Sequence, residues 1–152
     1  LINFDVKNVY DFDRFSDLSI KLKIEEGNYN FSNSNIIWKE NVNVSFSDSF
    51  LNFDKGKINL NGRTSFDVKN QDEFYKFFQI KKDLRKNIKK IELDFNYDFS
   101  EEKIFFDNLR IDNKSNKKIE EIVSEFNSNS KKFFNKVTFK NFVNDILLAY
   151  FG

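Results

Sequence analysis

Strict alternation of apolar and polar residues in positions 91–99 is the feature that most constrains how this chain folds. Successive side chains of a β-strand point to opposite faces, so the stretch predicts a strand with one apolar and one polar face. The polar residues 100–103 have the length of a hairpin connection, and the alternation resumes at Ile104. A phase change of one residue near Asp107 and Asn108 predicts a β-bulge in the second strand.

The same alternation recurs every 8–12 residues or so between the start of the chain and Val68, with short polar turns between the strands. Ser47, Asp48 and Ser49 predict one of these turns. Gly62 lies inside a predicted strand, which indicates a bulge or a close backbone contact. The predicted fold class is therefore α+β and mainly β: a curved antiparallel meander sheet that is apolar on one side.

About three short amphipathic helices are predicted to cover one end of this sheet. Asn70 is the expected N-cap of the first, residues 113–116 open the second, and Thr138 is the expected N-cap of the third. The third helix is predicted to dock on the sheet, with a position on a membrane surface as the alternative. The basic residues 81–90 are predicted to be a solvated linker, with contact to anionic lipid headgroups as the alternative.

Composition argues against catalysis. The chain has no His and no Cys, which removes the commonest general base and the thiolate nucleophile, and no Gly-rich phosphate loop is present. Asp11, Asp13 and Asp17 lack the spacing of an EF-hand, so a solvated loop is predicted there and no metal site. A net charge of +1 argues against nucleic acid as a partner. No enzymatic activity, catalytic residue or cofactor is predicted.

Three segments carry a resemblance to a known family: residues 66–80, residues 85–91, and the hairpin that ends at residue 112. Their pattern and layout resemble the C-terminal region of AsmA-like proteins, the bacterial relatives of YhdP and TamB, over residues 56–152. The resemblance implies a large cell-envelope protein with an N-terminal inner-membrane helix and a long β-rich periplasmic body. It further implies an apolar groove that carries phospholipid towards the outer membrane and serves outer-membrane biogenesis.

Residues 1–152 are expected to form a single domain. Because the sequence begins with Leu1 rather than Met, we expect it to be the C-terminal fragment of a longer β-rich protein. The partners that the resemblance implies are phospholipid acyl chains, the upstream β-rich body of the same chain, and the membrane through an N-terminal anchor outside this sequence. The implied location is the periplasm, with the full-length protein anchored in the inner membrane.

The predicted function is that of a non-catalytic lipid-groove module. The predicted lipid-facing positions belong to strands that precede the helices: Leu22, Tyr29, Val44, Phe46 and Leu60. A sheet with one apolar face must bury that face against something, and three short helices leave part of it open. The alternative is a structural or adhesive β-domain that binds protein or glycan, for which a second sheet closing the apolar face is expected.

Overall fold

The structure, a computed structural model, describes residues 1–8, 15–25, 27–38, 41–54, 56–129 and 136–152. The described strands form one antiparallel sheet. They are β1 (Ile2–Asn8), β2 (Phe15–Glu25), β3 (Asn28–Asn30), β4 (Ser34–Trp38), β5 (Val42–Asp54), β6 (Lys57–Val68), β7 (Lys90–Asp98) and β8 (Lys103–Ile111). Their order is β1-β2-β3-β5-β6-β7-β8, and β4 also lies between β2 and β5. The predicted antiparallel meander of a mainly β fold is confirmed.

The register of the strands puts the apolar residues on one face of the sheet. Val44 lies opposite Ile36 on one side and Phe66 on the other, and Phe66 lies opposite Ile91, which in turn faces Ile111. Directly opposed residues of antiparallel strands share a face, so the alternation of every strand is in phase with that of its neighbours. This confirms the predicted one-sided sheet.

A bulge in β5 replaces the turn that was predicted at Ser47, Asp48 and Ser49, so that prediction was wrong. The strand continues through these residues, its register against β6 shifts between Ser47 and Phe50, and Asp48 has a φ of 48°. The predicted close contact at Gly62 is confirmed. A Cβ built at Gly62 would lie 2.2 Å from the Oγ atom of Ser49, which is 1% exposed.

The hairpin of β7 and β8 was predicted closely. Asp98 shapes its turn, because its Oδ1 atom accepts hydrogen bonds from the backbone N–H groups of Ser100 (2.8 Å) and Glu101 (3.0 Å). The β8 bulge is confirmed, since the register against β7 shifts between Glu92 and Asp94, and Asn108 has a φ of 51°. Asn108 is a residue that tolerates this left-handed conformation, which is why the phase changes there.

The described α-helices are α1 (Gln71–Phe78), α2 (Lys117–Ser128) and α3 (Lys136–Phe151). The predicted cap of α1 is confirmed, because Asn70 Oδ1 accepts a hydrogen bond from the N–H of Glu73. Asn116 caps α2 in the same way through the N–H of Ile119 at 2.9 Å. The prediction for α3 was wrong: the helix begins at Lys136, so Thr138 lies inside it rather than at its cap.

The helices pack on one end of the apolar face through aromatic side chains. The Trp38 ring on β4 lies 4.6 Å from the ring of Phe77 on α1. The Phe106 ring on β8 stacks on Phe126 of α2 and Phe142 of α3, each at 5.3 Å between centroids. The predicted docking of the last helix on the sheet is therefore confirmed.

The basic segment at residues 81–90 is only partly the solvated linker that was predicted. Ile88 is fully buried, and the Arg85 side chain donates a 3.0 Å hydrogen bond to the carbonyl of Ile80. Tyr75 of α1 donates its hydroxyl to the carbonyl of Lys86. Burial raises the pKa of Tyr75 to about 12, so its hydroxyl keeps its proton and stays a donor even at the alkaline pH where an exposed Tyr would ionise. These contacts tie the segment to the helical end of the sheet.

Candidate functional site

The apolar face continues well beyond the helices. At the far end of the sheet the register aligns six apolar side chains across six strands, and we call this line the distal row. Its members are Ile24, Tyr29, Leu51, Leu60, Tyr97 and Ile104. With neighbouring strands about 4.8 Å apart, the row is roughly 24 Å long.

Several aromatic and aliphatic side chains at this end are exposed to solvent. Ile24 is 49% exposed, Phe53 is 55% exposed and Phe99 is 46% exposed. The Phe53 ring lies 5.5 Å from the ring of Tyr29, and the Phe99 ring lies 4.8 Å from that of Tyr97. Ring contacts between neighbours therefore bury part of each aromatic side chain and leave the rest on the surface.

Strands β1 and β2 extend the same face sideways. The apolar residues of β1 are Ile2, Phe4 and Val6, and each is at least 41% exposed. They lie opposite Leu22, Ile20 and Leu18 of β2. We call these six residues, the distal row, Phe53 and Ile58 together the uncovered apolar surface.

The total accessible area of the chain exceeds that of a compact monomer. It is 10048 Å², whereas a compact monomer of 18.2 kDa is expected to expose about 8,100 Å². Soluble monomers rarely expose contiguous apolar patches larger than a few hundred Å², and larger ones mark binding sites. The uncovered apolar surface is therefore the candidate functional site.

The five predicted lipid-facing residues all lie on the apolar face, but at different places. Leu22, Tyr29 and Leu60 are half-buried members of the uncovered apolar surface. Val44 is 7% exposed and belongs to the buried core, and Phe46 packs against that core with its ring 6.2 Å from Phe95. The candidate surface therefore does not include Val44 or Phe46.

The most exposed residues of the surface were not selected from the sequence. Ile24 lies two residues after Leu22 in β2, and Phe53 lies two residues after Leu51 in β5. Each therefore points to the same face of the sheet as the residue two positions before it. Alternation places a residue on a face, but it does not say which part of that face the helices cover. A prediction that included every apolar position near the hairpin turns would have found these residues.

The opposite face of the sheet is polar and is held together by side-chain hydrogen bonds. Arg63 donates its Nε–H to Asp94 Oδ1 at 2.7 Å, and Asn108 donates to Asp94 Oδ2 at 2.7 Å. The hydrogen bond from Arg63 is the main cause that lowers the pKa of Asp94 below its usual value, and the one from Asn108 also lowers it. The carboxylate is thus fixed as a structural anion across β6, β7 and β8.

Two apolar rings interrupt this polar face. Four directly opposed residues form a line across β5, β6, β7 and β8, in the order Phe50, Asn61, Asn96 and Phe105. Both Phe rings are half-buried. Asn61 also accepts a hydrogen bond from the Asn52 amide. The face therefore presents amide groups flanked by aromatic rings.

Among the described residues, no group of three or more His, Cys, Asp or Glu side chains is close enough to hold a metal ion. Asp11 and Asp13 lie outside the described residues. A cleft of about 400 Å³ lies between α2 and β8, and its lining includes Arg110, Glu120 and Ser124.

No protein-family model, curated protein or solved structure matches this chain. The resemblance to AsmA-like proteins therefore stays a prediction that rests on the segments quoted above. The described helices all fall short of the length and apolar character that a membrane span requires. Function must be argued from the uncovered apolar surface itself.

Proposed function

We propose that this chain is a non-catalytic lipid-binding module of an AsmA-like envelope protein, and that its uncovered apolar surface holds phospholipid acyl chains. The observation that carries the proposal is the distal row, an apolar line across six strands in which Ile104 packs against the helix-covered core and the other five members lie beyond it. In this proposal the chain serves phospholipid transport to, or assembly of, the outer membrane, from a periplasmic position.

The dimensions of the surface fit an acyl chain. The hydrocarbon core of a bilayer is about 30 Å thick, so one acyl chain of a leaflet extends over roughly 15 Å. The distal row, at roughly 24 Å, is longer than that. A chain laid along it would contact Ile24, Leu51 and Leu60 in turn, and burial of apolar area would stabilise the complex by about 25 cal/mol per Å².

The chemistry of the surface also fits a phospholipid. The side chains of the distal row are aliphatic except for Tyr29 and Tyr97, whose phenol groups combine an apolar ring with a polar tip. Tyrosine is enriched where one end of a site is apolar and the other is wet.

We expect Phe53→Asp to weaken lipid binding by about 10- to 100-fold. The change removes an apolar contact worth about 1.5–3 kcal/mol for a fully buried Phe side chain, and each 1.4 kcal/mol is tenfold in affinity. Phe53 is 55% exposed, so the fold should survive the change. The measurement is titration of the chain with a phospholipid that carries a fluorescent acyl chain, together with mass spectrometry of lipid that co-purifies.

The matched control is Asn96→Asp, which adds the same charge on the polar face of the sheet at another exposed position. It should bind lipid as the unchanged chain does. Equal loss in both variants, or no lipid bound by the unchanged chain, would contradict the proposed function.

A second candidate is an adhesive β-domain that binds glycan on the polar face. The observation in its favour is the line of amides between the rings of Phe50 and Phe105, because aromatic rings and amides together suit sugar rings and their hydroxyls. The second sheet expected for a sandwich is not present among the described strands, which all belong to one sheet. This candidate predicts glycan binding that is lost in Phe105→Ala and kept in Phe53→Asp, as measured on a glycan array.

A further inference from the structure

The two outer edges of the sheet differ in how their backbone groups are satisfied. On β8, the Asn127 side chain of α2 pairs with both backbone groups of Phe106: it accepts the N–H at 3.0 Å and donates to the carbonyl at 2.7 Å. Further along, Ile111 and Lys114 exchange two backbone hydrogen bonds of 2.8 and 2.9 Å. The chain itself therefore occupies the outer edge of β8 at Phe106 and at Ile111.

The outer edge of β1 carries no such protection in the described part of the chain. The strand pairs with β2 on one side, and residues 1–7 are all exposed. It contains no proline, and its pairing with β2 keeps one register from Ile2 to Asn8. An edge strand with unpaired backbone groups can form hydrogen bonds with a strand of another molecule, and proteins normally prevent such pairing.

The charges on β1 are self-complementary. Asp5 and Lys7 lie on the polar face on either side of Val6, and neither forms an ion pair with another described residue. If two copies of the strand pair antiparallel about an axis through Val6, each Asp5 lies opposite the Lys7 of the other copy. Opposite charges directly across a strand pair are stabilising, and the axis produces two such pairs.

We propose that a second copy of this chain pairs with β1, antiparallel, about a two-fold axis perpendicular to the sheet at Val6. The axis keeps both apolar faces on the same side, so the uncovered apolar surfaces of the two copies join into one. Pairing stops at two copies, because Asn127 and Lys114 occupy the edge of β8. The proposal does not rest on lipid binding, since it is carried by the edge and the charges of β1.

Mass measurement by light scattering tests this pairing. We expect the unchanged chain to have twice the 18.2 kDa mass of one copy. Asp5→Lys and Lys7→Asp should each return it to a single copy, because like charges then face each other twice. Mixing the two variants should give a heterodimer, and the double variant Asp5→Lys with Lys7→Asp should form a dimer again.

Lys57→Glu is the control for charge reversal, since Lys57 is exposed in the hairpin far from β1 and its variant should stay dimeric. A monomeric unchanged chain would overturn the proposal. So would a pair of single variants that remain monomeric after mixing. Lipid binding by the single variants should be unchanged if the proposed function holds, so the two proposals fail separately.

The chain has no cysteine, so an introduced one reports the register. In the proposed dimer the two copies of Val6 face each other, with Cα atoms about 4.5–5.5 Å apart, which suits a disulfide. Val6→Cys should cross-link under mild oxidation. Phe4→Cys should not, because its two copies are offset by four residues along the strands, or about 13 Å. Cross-linking at Phe4→Cys and not at Val6→Cys would overturn the Val6-centred axis.

Discussion

Phe106→Ala should lower the free energy of unfolding by about 3–5 kcal/mol, the usual range for a buried Phe truncated to Ala. Phe106 is 4% exposed, and its ring stacks on both Phe126 and Phe142 at 5.3 Å. The ring thus joins β8 to α2 and α3 at once, and truncation leaves a cavity between the sheet and both helices. The loss is a large part of the 5–15 kcal/mol that holds a typical domain together.

Urea unfolding followed by circular dichroism measures this loss. The matched control is Phe99→Ala, because Phe99 is 46% exposed at the opposite end of the sheet, packs only on Tyr97 among the ring contacts described, and should cost about 1–2 kcal/mol. If the two variants lost equal stability, the helical layer would not be what buries the apolar face. A loss below about 1 kcal/mol in Phe106→Ala would contradict the stacked arrangement.

The parts of the fold that sequence predicted are those set by local chemistry. Alternation fixed the face of each residue in the hairpin, and its phase change at Asn108 located a bulge, because Asn tolerates a φ of 51°. Asn70 and Asn116 were predictable caps since an Asn side chain accepts a hydrogen bond from the first turn of a helix. All of these signals act within a few residues of one another.

The parts that were missed depend on distant neighbours. Ser47, Asp48 and Ser49 have turn composition, yet β6 pairs on both sides of them, and the pairing turns the segment into a bulge. The extent of the candidate surface was not predictable for the same reason: Val44 and Leu60 have the same alternation, and only the placement of the helices makes one buried and leaves the other half-buried. The bare edge of β1 is likewise a property of the whole sheet.

Gly62→Ala should destabilise the chain by about 1–3 kcal/mol, the usual cost of forcing an extra methyl group into a filled space. The direction is informative, because Ala in a strand is ordinarily more stable than Gly by roughly 0.5–1 kcal/mol. Here the new Cβ would lie 2.7 Å from the Cα of Ser49, which is backbone and cannot swing aside. The β5 bulge would have to move away from β6 to admit it.

Unfolding in urea distinguishes a backbone clash from a side-chain clash at this point. Adding Ser49→Ala removes the Oγ atom at 2.2 Å but leaves the Cα and Cβ atoms at 2.7 Å, so the double variant should stay less stable than Ser49→Ala alone. Asn59→Ala, on the polar face of the same strand, is the control for an added alanine and should have little effect. A Gly62→Ala variant more stable than the unchanged chain would show that β5 does not lie over Gly62.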